Sequence, residues 1–228
     1  MLYQILQGNF NPLSILMQIL ATLFVIMIVL PFHELAHGFV AYKLGDNTAK
    51  NQGRLTFNPL HHINYIGAVC LLLVGFGWAE PVPVDPRYFK NPKRDMALVA
   101  LAGPVANIIA AIVGCLLGNL FSVCVPVSYM GTNWYMAVDY FFYSYISVNV
   151  SLAVFNLIPL PPLDGSKILG AFLPHQTYVK MLMNERMLST ILIILVMTNV
   201  VDKVMYYPSI WLENLVYLIG YLPFMPFA

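Results

Sequence analysis

Long apolar stretches alternate with short charged ones along this chain. Between Pro12 and Phe32 no side chain ionises, and about 20 such residues suffice to cross the ~30 Å hydrocarbon core of a bilayer. Further apolar runs fall at 63–79, 96–122, 137–158, 187–201 and 208–224, and the helical pattern of the first continues to about residue 44. In lipid, backbone groups must be satisfied within the segment, which selects helices. The pattern predicts an all-α polytopic membrane protein with about five to six transmembrane or re-entrant segments. The run at 63–79 is the exception. It holds Gly67, Gly75 and Gly77 and ends in Glu80-Pro81-Val82-Pro83, poor material for a lipid-exposed helix, and is expected to re-enter rather than cross.

The charged intervals orient these segments. Lys43, Lys50 and Arg54 follow the first run, Arg87, Lys90, Lys93 and Arg94 precede the third, and Lys167, Lys180 and Arg186 follow the fourth. Residues 123–136 carry no basic side chain. With 63–79 re-entrant, the positive-inside rule puts every basic cluster in the cytoplasm and both the amino terminus and 123–136 outside. The expectation is a multi-pass protein of the cell membrane. The first ten residues lack the positive stretch of a signal peptide, so the first span is expected in the mature protein. The run at 208–224 contains Glu213, Trp211, Tyr217 and Tyr221, and suits either a span or an interfacial helix.

Composition adds exclusions. Hydrophobic residues make up 60% and charged residues 9%, with a mean hydropathy of +0.75, a balance foreign to soluble domains. The net charge of only +1 argues against nucleic acid as a partner. No linker, repeat or long insertion appears, so 1–228 reads as one domain, with a core at about 12–170 and carboxy-terminal helices at about 187–224. Cys70, Cys115 and Cys124 show no CxxC spacing and read as packing residues.

The chemistry begins at His33-Glu34-Leu35-Ala36-His37, at the end of the first run. On a helix the two histidines lie one turn apart on one face and can converge on a single Zn²⁺, with Glu34 beside the metal-bound water. In a soluble helix the same five residues often mark only a solvated face. At membrane depth, unpaired ionisable groups cost several kcal/mol, which favours a metal site. A hydrolytic zinc needs a third protein ligand, and Asp164 is the best candidate. It ends Asn156-Leu-Ile-Pro-Leu-Pro-Pro-Leu-Asp164-Gly165, where three prolines forbid a regular helix. Such backbone is tolerated at depth only where it is buried or lines a cavity. The bland alternative is an ordinary Asp-Gly turn. On the first helix Ser14, Gln18 and Thr22 recur every four residues, a polar stripe that suits either a hydrated cavity or helix packing. Pro31 frees the carbonyl of Met27 and predicts a kink just before the motif.

FHELAHG, NPLHHIN, GWAEPVPVDP, the GPVAN of Gly103 to Asn107, and NLIPLPPLDG occur in that order. Together they resemble the site-2 protease family of intramembrane zinc metalloproteases, in the short form without a PDZ or CBS domain. The likeness runs from about Phe32 to Gly170. It implies cleavage of a peptide bond in or near a transmembrane segment of a membrane protein or peptide, to release a regulatory factor or clear a leftover peptide. It further implies one zinc per chain, with His33, His37 and Asp164 as ligands and Glu34 as the catalytic glutamate. Asn156 matches the family asparagine that holds substrate or the oxyanion, and helix packing with Asn149 is its alternative. Asn107 is expected to support a ligand helix, although the seam Gly103, Asn107, Ala111, Gly114, Gly118 also reads as plain scaffold. His62 is expected near the substrate entrance or as an interfacial histidine.

Two further expectations follow from the residues. Pro81 and Pro83 remove donors from one edge of the segment 80–84, so Val82 and Val84 keep theirs on the other. This predicts a small membrane-associated β element, paired with Gly53 to Phe57, that binds substrate by strand addition. The rival functions are a silent binding protein of the same fold and a metal transporter. The intact Glu34 argues against the first, and the lack of internal symmetry against the second.

Overall fold

The computed structural model describes residues 12–74 and 77–227; the expectations for the amino-terminal segment and for Gly75 lie outside them. Helix α1, Pro12–Lys43, has 32 residues and is about 48 Å long. Its hydrogen-bond register changes at Val25–Val29, a single π-helical turn in which the Leu30 N–H reaches back to Val25 O. Pro31 has no N–H to offer Met27, and the chain absorbs the missing donor as a widened turn.

A single turn at Thr48–Asn51 and an irregular loop lead to α2, Tyr65–Val74. Ten residues rise about 15 Å, half the hydrocarbon thickness, so α2 cannot cross alone. The chain then folds back, with Gly67 against the backbone of Trp78. The following segment, 78–85, is irregular, and among the described residues there is no β-strand. The expected pairing of 80–84 with 53–57 is absent. Arg54 Nη2 instead donates to the carbonyls of Glu80 and Pro81 at 2.9 and 3.1 Å, and the Glu80 N–H pairs with His62 O at 2.7 Å. With two of its donors lost to proline, the segment is held through side chains rather than a ladder.

Helix α3, Pro92–Cys124, starts with Asn91 accepting from the Arg94 N–H while Asp95 Oδ2 accepts from the Asn91 N–H. The cap closes reciprocally, with proline at the first helical position. Leu98, Leu101, Val105, Ile109, Val113 and Leu117 are exposed along one stripe of α3, while Gly103, Asn107, Ala110, Ala111 and Gly114 are buried on the other. The first stripe faces lipid; the second admits neighbouring helices closely. Helix α4, Asn133–Asn156, packs there, with Tyr145 over Gly114 and Phe142 over Gly118. Asp164–Phe172 forms α5 and His175–Met183 forms α6. Helices α7, Glu185–Met197, and α8, Val200–Tyr221, meet at Asn199, which is left-handed with φ 57°. Their axes differ by 79°.

Three helices, α1, α3 and α4, are long and apolar enough to cross a membrane, or four segments if the bent α7–α8 pair counts as one. Crossing segments are fewer than expected because 208–224 is no separate run; α2, expected to re-enter, is too short to cross. Asp202 and Lys203, which divide the last two apolar stretches, lie inside α8. The core joins α1, α3, α4 and α8 through Val25, Val29, Ala111, Cys115, Val150 and Val216, among others.

Candidate metal centre

His33 and His37 are one turn apart in the half of α1 that follows the π turn, and both are buried. Asp164 reaches them from the first position of α5. Gly165 makes that approach possible, because a Cβ there would collide with the carbonyl oxygens of Leu157 and Ile158. The resulting triangle has edges of 3.1 Å (His33 Nε2 to His37 Nε2), 3.1 Å (His37 Nε2 to Asp164 Oδ2) and 3.4 Å (His33 Nε2 to Asp164 Oδ2). Zinc–ligand bonds of about 2.0–2.1 Å in a tetrahedron place ligand atoms about 3.3 Å apart. The edges match.

The outward nitrogens settle what the inward ones can do. His37 Nδ1 donates to Val99 O at 2.7 Å, and His33 Nδ1 lies 2.5 Å from Asn107 Oδ1, both acceptors on α3. With Nδ1 protonated, neutral imidazoles turn Nε2 lone pairs inward, where the Asp164 carboxylate adds a third acceptor. Three acceptors within 3.4 Å of one another in a buried site call for a cation. The donor set therefore fits zinc, with room on a fourth side. Gly103 keeps α3 this close, since a Cβ on it would fall onto both rings.

Around the triangle lies a cavity of about 600 Å³, lined by Glu34, Trp78, Val84, Asn156 and Lys167 among others. Glu34 Oε2 accepts the Val82 N–H at 3.0 Å. The donor expected to pair with substrate is thus turned onto the glutamate, and Val82 is buried. Val84 lines the same cavity. Asn156 lines it too, but one of its N–H groups returns to Leu152 O at 3.0 Å on its own helix; Asn149 does the same to Tyr145 O at 2.8 Å. The alternative reading of Asn156, a bond to Asn149, is not made. His62 is fully buried outside this cavity, where its Nε2 meets Thr56 O at 2.8 Å and holds the loop before α2.

Two contributors escaped the sequence reading. Buried Asp46 accepts from the N–H and hydroxyl of Thr48 and from the Asp85 N–H at 2.7 Å, so it pins one end of the segment that Glu34 holds at Val82. The spacing Asp46 to Thr48 is an Asx-turn signal that points to this cap, though not to Asp85. Lys167 Nζ stands 3.3 Å from Asp164 Oδ1, an i,i+3 pair readable once α5 is known. The exposed Arg87 guanidinium bonds the half-buried carboxylate of Asp85, one residue after Val84, and holds it below the usual carboxylate range.

A zinc centre of this kind, set between helices long enough to cross a bilayer, defines the class: a membrane zinc metalloprotease. Known proteins agree. The model for peptidase family M50 matches residues 118–199, the stretch that carries Asn156 and Asp164. The chain is 42% identical over 180 residues to "Putative zinc metalloprotease YwhC" of Bacillus subtilis (strain 168), covering 77% of this chain and 78% of that protein. It is 30% identical over 148 residues to "Putative zinc metalloprotease Rip2" of Mycolicibacterium smegmatis, 63% of this chain and 52% of that one. A zinc metalloprotease of Methanocaldococcus jannaschii is 28% identical over 154 residues, 67% of this chain and 34% of its own length. No solved structure matches this chain. The chain belongs to peptidase family M50, the site-2 proteases, and its cofactor is zinc.

Proposed function

We propose that this chain is one intramembrane catalytic unit that hydrolyses peptide bonds in or near transmembrane segments of membrane proteins or peptides, in regulated proteolysis or in peptide clearance. The observation that carries this reading is the triangle of His33 Nε2, His37 Nε2 and Asp164 Oδ2, with edges of 3.1–3.4 Å, open to a cavity among apolar helices. His33, His37 and Asp164 hold one zinc. When bound, the metal polarises the scissile carbonyl and lowers the pKa of a coordinated water.

The protein's own groups supply the rest. The Val82 N–H fixes one carboxylate oxygen of Glu34, and the other takes the proton of the attacking water and later passes it to the departing amine. Asn156 donates its second N–H to the developing oxyanion, a contribution worth about 2.7–4 kcal/mol where such donors have been removed. Asn107 and Val99 O keep the imidazoles turned to the metal, and Lys167 steadies the second oxygen of Asp164. Val84 forms part of the wall that substrate meets. The basic residues put the Asp164 end of the molecule toward the cytoplasm of a cell-membrane protein.

The test uses the full chain reconstituted with a membrane-spanning model peptide. Glu34→Gln should abolish cleavage and keep zinc, while Asp164→Ala should lose both. Cleavage that survives Glu34→Gln would remove the general base, and a parent protein that binds zinc without cutting any membrane-spanning peptide would favour the silent binding protein.

A further inference from the structure

Asp164 has two carboxylate oxygens, and the structure gives each a different partner. Oδ2 completes the triangle with the two imidazoles. Oδ1 accepts from the Lys167 ammonium at 3.3 Å, its one donor among the described residues.

Both side chains project from α5, three residues apart, and that helix is fixed from two sides. Lys93 Nζ, at the start of α3, donates to Leu173 O at 2.7 Å just after α5. The Tyr178 ring of α6 covers Gly170, where a Cβ would fall 2.3 Å from it. Helix α3 also carries the acceptors of both imidazoles, so Lys167, Asp164 and the two rings share one support.

Lys167 is the one lysine or arginine among the described side chains that line the metal cavity. On a solvated helix such a pair contributes little, because water screens both members. Here the Asp164 side chain is only 8% accessible and that of Lys167 is 41%. The ammonium keeps part of its hydration while it meets a carboxylate that has almost none.

The consequence lies in coordination. A carboxylate has lone pairs on both oxygens and binds a metal through one of them or both. A hydrolytic zinc takes three protein ligands and keeps a fourth position open, and a fifth is sometimes used in the transition state. A second oxygen from Asp164 would occupy the place that water or the substrate carbonyl requires. With Lys167 on Oδ1, turning that oxygen inward would leave an unpaired ammonium beside a divalent cation.

We propose that Lys167 is a positioning residue that keeps Asp164 a one-oxygen ligand, and so keeps a coordination position free for water and substrate. The inference rests on the zinc reading of the centre, and its test reads coordination as well as cleavage.

Full-length protein is stripped of zinc and loaded with one Co²⁺ per chain, whose visible absorption reports its coordination geometry. The parent is compared with Lys167→Met, which keeps most of the stem without the charge, with Lys167→Arg, and with Lys180→Met, which removes an exposed cation on α6. Lys167→Ala repeats the methionine measurement without its bulk, and thermal unfolding verifies that each loaded protein is folded. The parent and Lys180→Met should show the intense bands of a four-coordinate ion. Lys167→Met and Lys167→Ala should still bind one cobalt, with bands weakened several-fold as Oδ1 joins the metal. Their kcat on a membrane-spanning peptide should fall about 10–100-fold, the range seen when outer-shell partners are lost, at nearly unchanged KM. Lys167→Arg keeps a donor for Oδ1 and should restore the parent spectrum. A parent-like spectrum in both uncharged variants, loss of their cobalt, or a weakened spectrum in Lys167→Arg would overturn the proposal and leave the zinc reading standing. A parent protein that binds no cobalt would sink both.

Discussion

Replacing Gly103 by alanine adds one methyl group and should dismantle the metal centre. A Cβ at this position would lie 2.5 Å from Cε1 and Nε2 of His33 and closer still to His37 Nε2. Carbon atoms prefer about 3.5–4.0 Å, so something must yield by about 1 Å. The rings cannot simply retreat, because both are tied through Nδ1 to α3 itself, at Asn107 and Val99. Either α3 moves away from α1 or the rings abandon those acceptors. Metal–ligand distances tolerate only about 0.2 Å, and disturbing outer-shell partners elsewhere costs about 10–100-fold in metal affinity. We expect a loss of that size, about 1.4–2.8 kcal/mol. The measurement is retained zinc after dialysis against graded chelator, read beside thermal stability. Helix propensity pushes the other way, since alanine in a helix interior is favoured over glycine by roughly 0.5–1 kcal/mol. A Gly103→Ala protein that holds zinc as tightly as the parent, or is merely more stable, would refute the steric argument.

Val82→Pro deletes the N–H that Glu34 Oε2 accepts. Hydrogen bonds to charged groups contribute about 1.5–3 kcal/mol, so turnover should fall roughly 10–150-fold with zinc content unchanged; parent-like turnover would show that Glu34 needs no such tether. Orientation is checked by labelling intact cells on a cysteine-free background. A probe at Thr132→Cys should react from outside while Lys50→Cys and Lys180→Cys are spared, and the reverse pattern would invert the topology.

The two histidines were legible because i,i+4 spacing is a local property of a helix, and a twenty-residue apolar run leaves little doubt about the helix. Asp164 could be proposed because prolines before it make an ordinary helix impossible. The partners of these groups were not legible. Val99 contributes a backbone carbonyl, which every residue possesses, so no side-chain pattern marks it. Gly103 looked like scaffold because its importance lies in the space it leaves for rings 66 and 70 positions away in sequence. The expected strand failed for a related reason: counting prolines reveals which donors remain, but not that Glu34 and Arg54 would take up the remaining donor and the carbonyls. The span count went astray at Asp202 and Lys203, whose charges look like a loop but lie inside α8.

The π turn at Val25–Val29 carries a consequence for how the metal-binding helix is aimed. Every residue inserted into or taken from an α-helix rotates all that follows by about 100° about its axis. The surplus residue in that turn is therefore an angular setting: upstream of it the helix presents the polar file of Ser14, Gln18 and Thr22, downstream of it the two imidazoles, and the width of one turn fixes the angle between them. Five letters supply the two histidines proposed to bind the metal, but where their rings point is written in a run of valines, isoleucines and a methionine whose chemistry is otherwise interchangeable with the lipid around them.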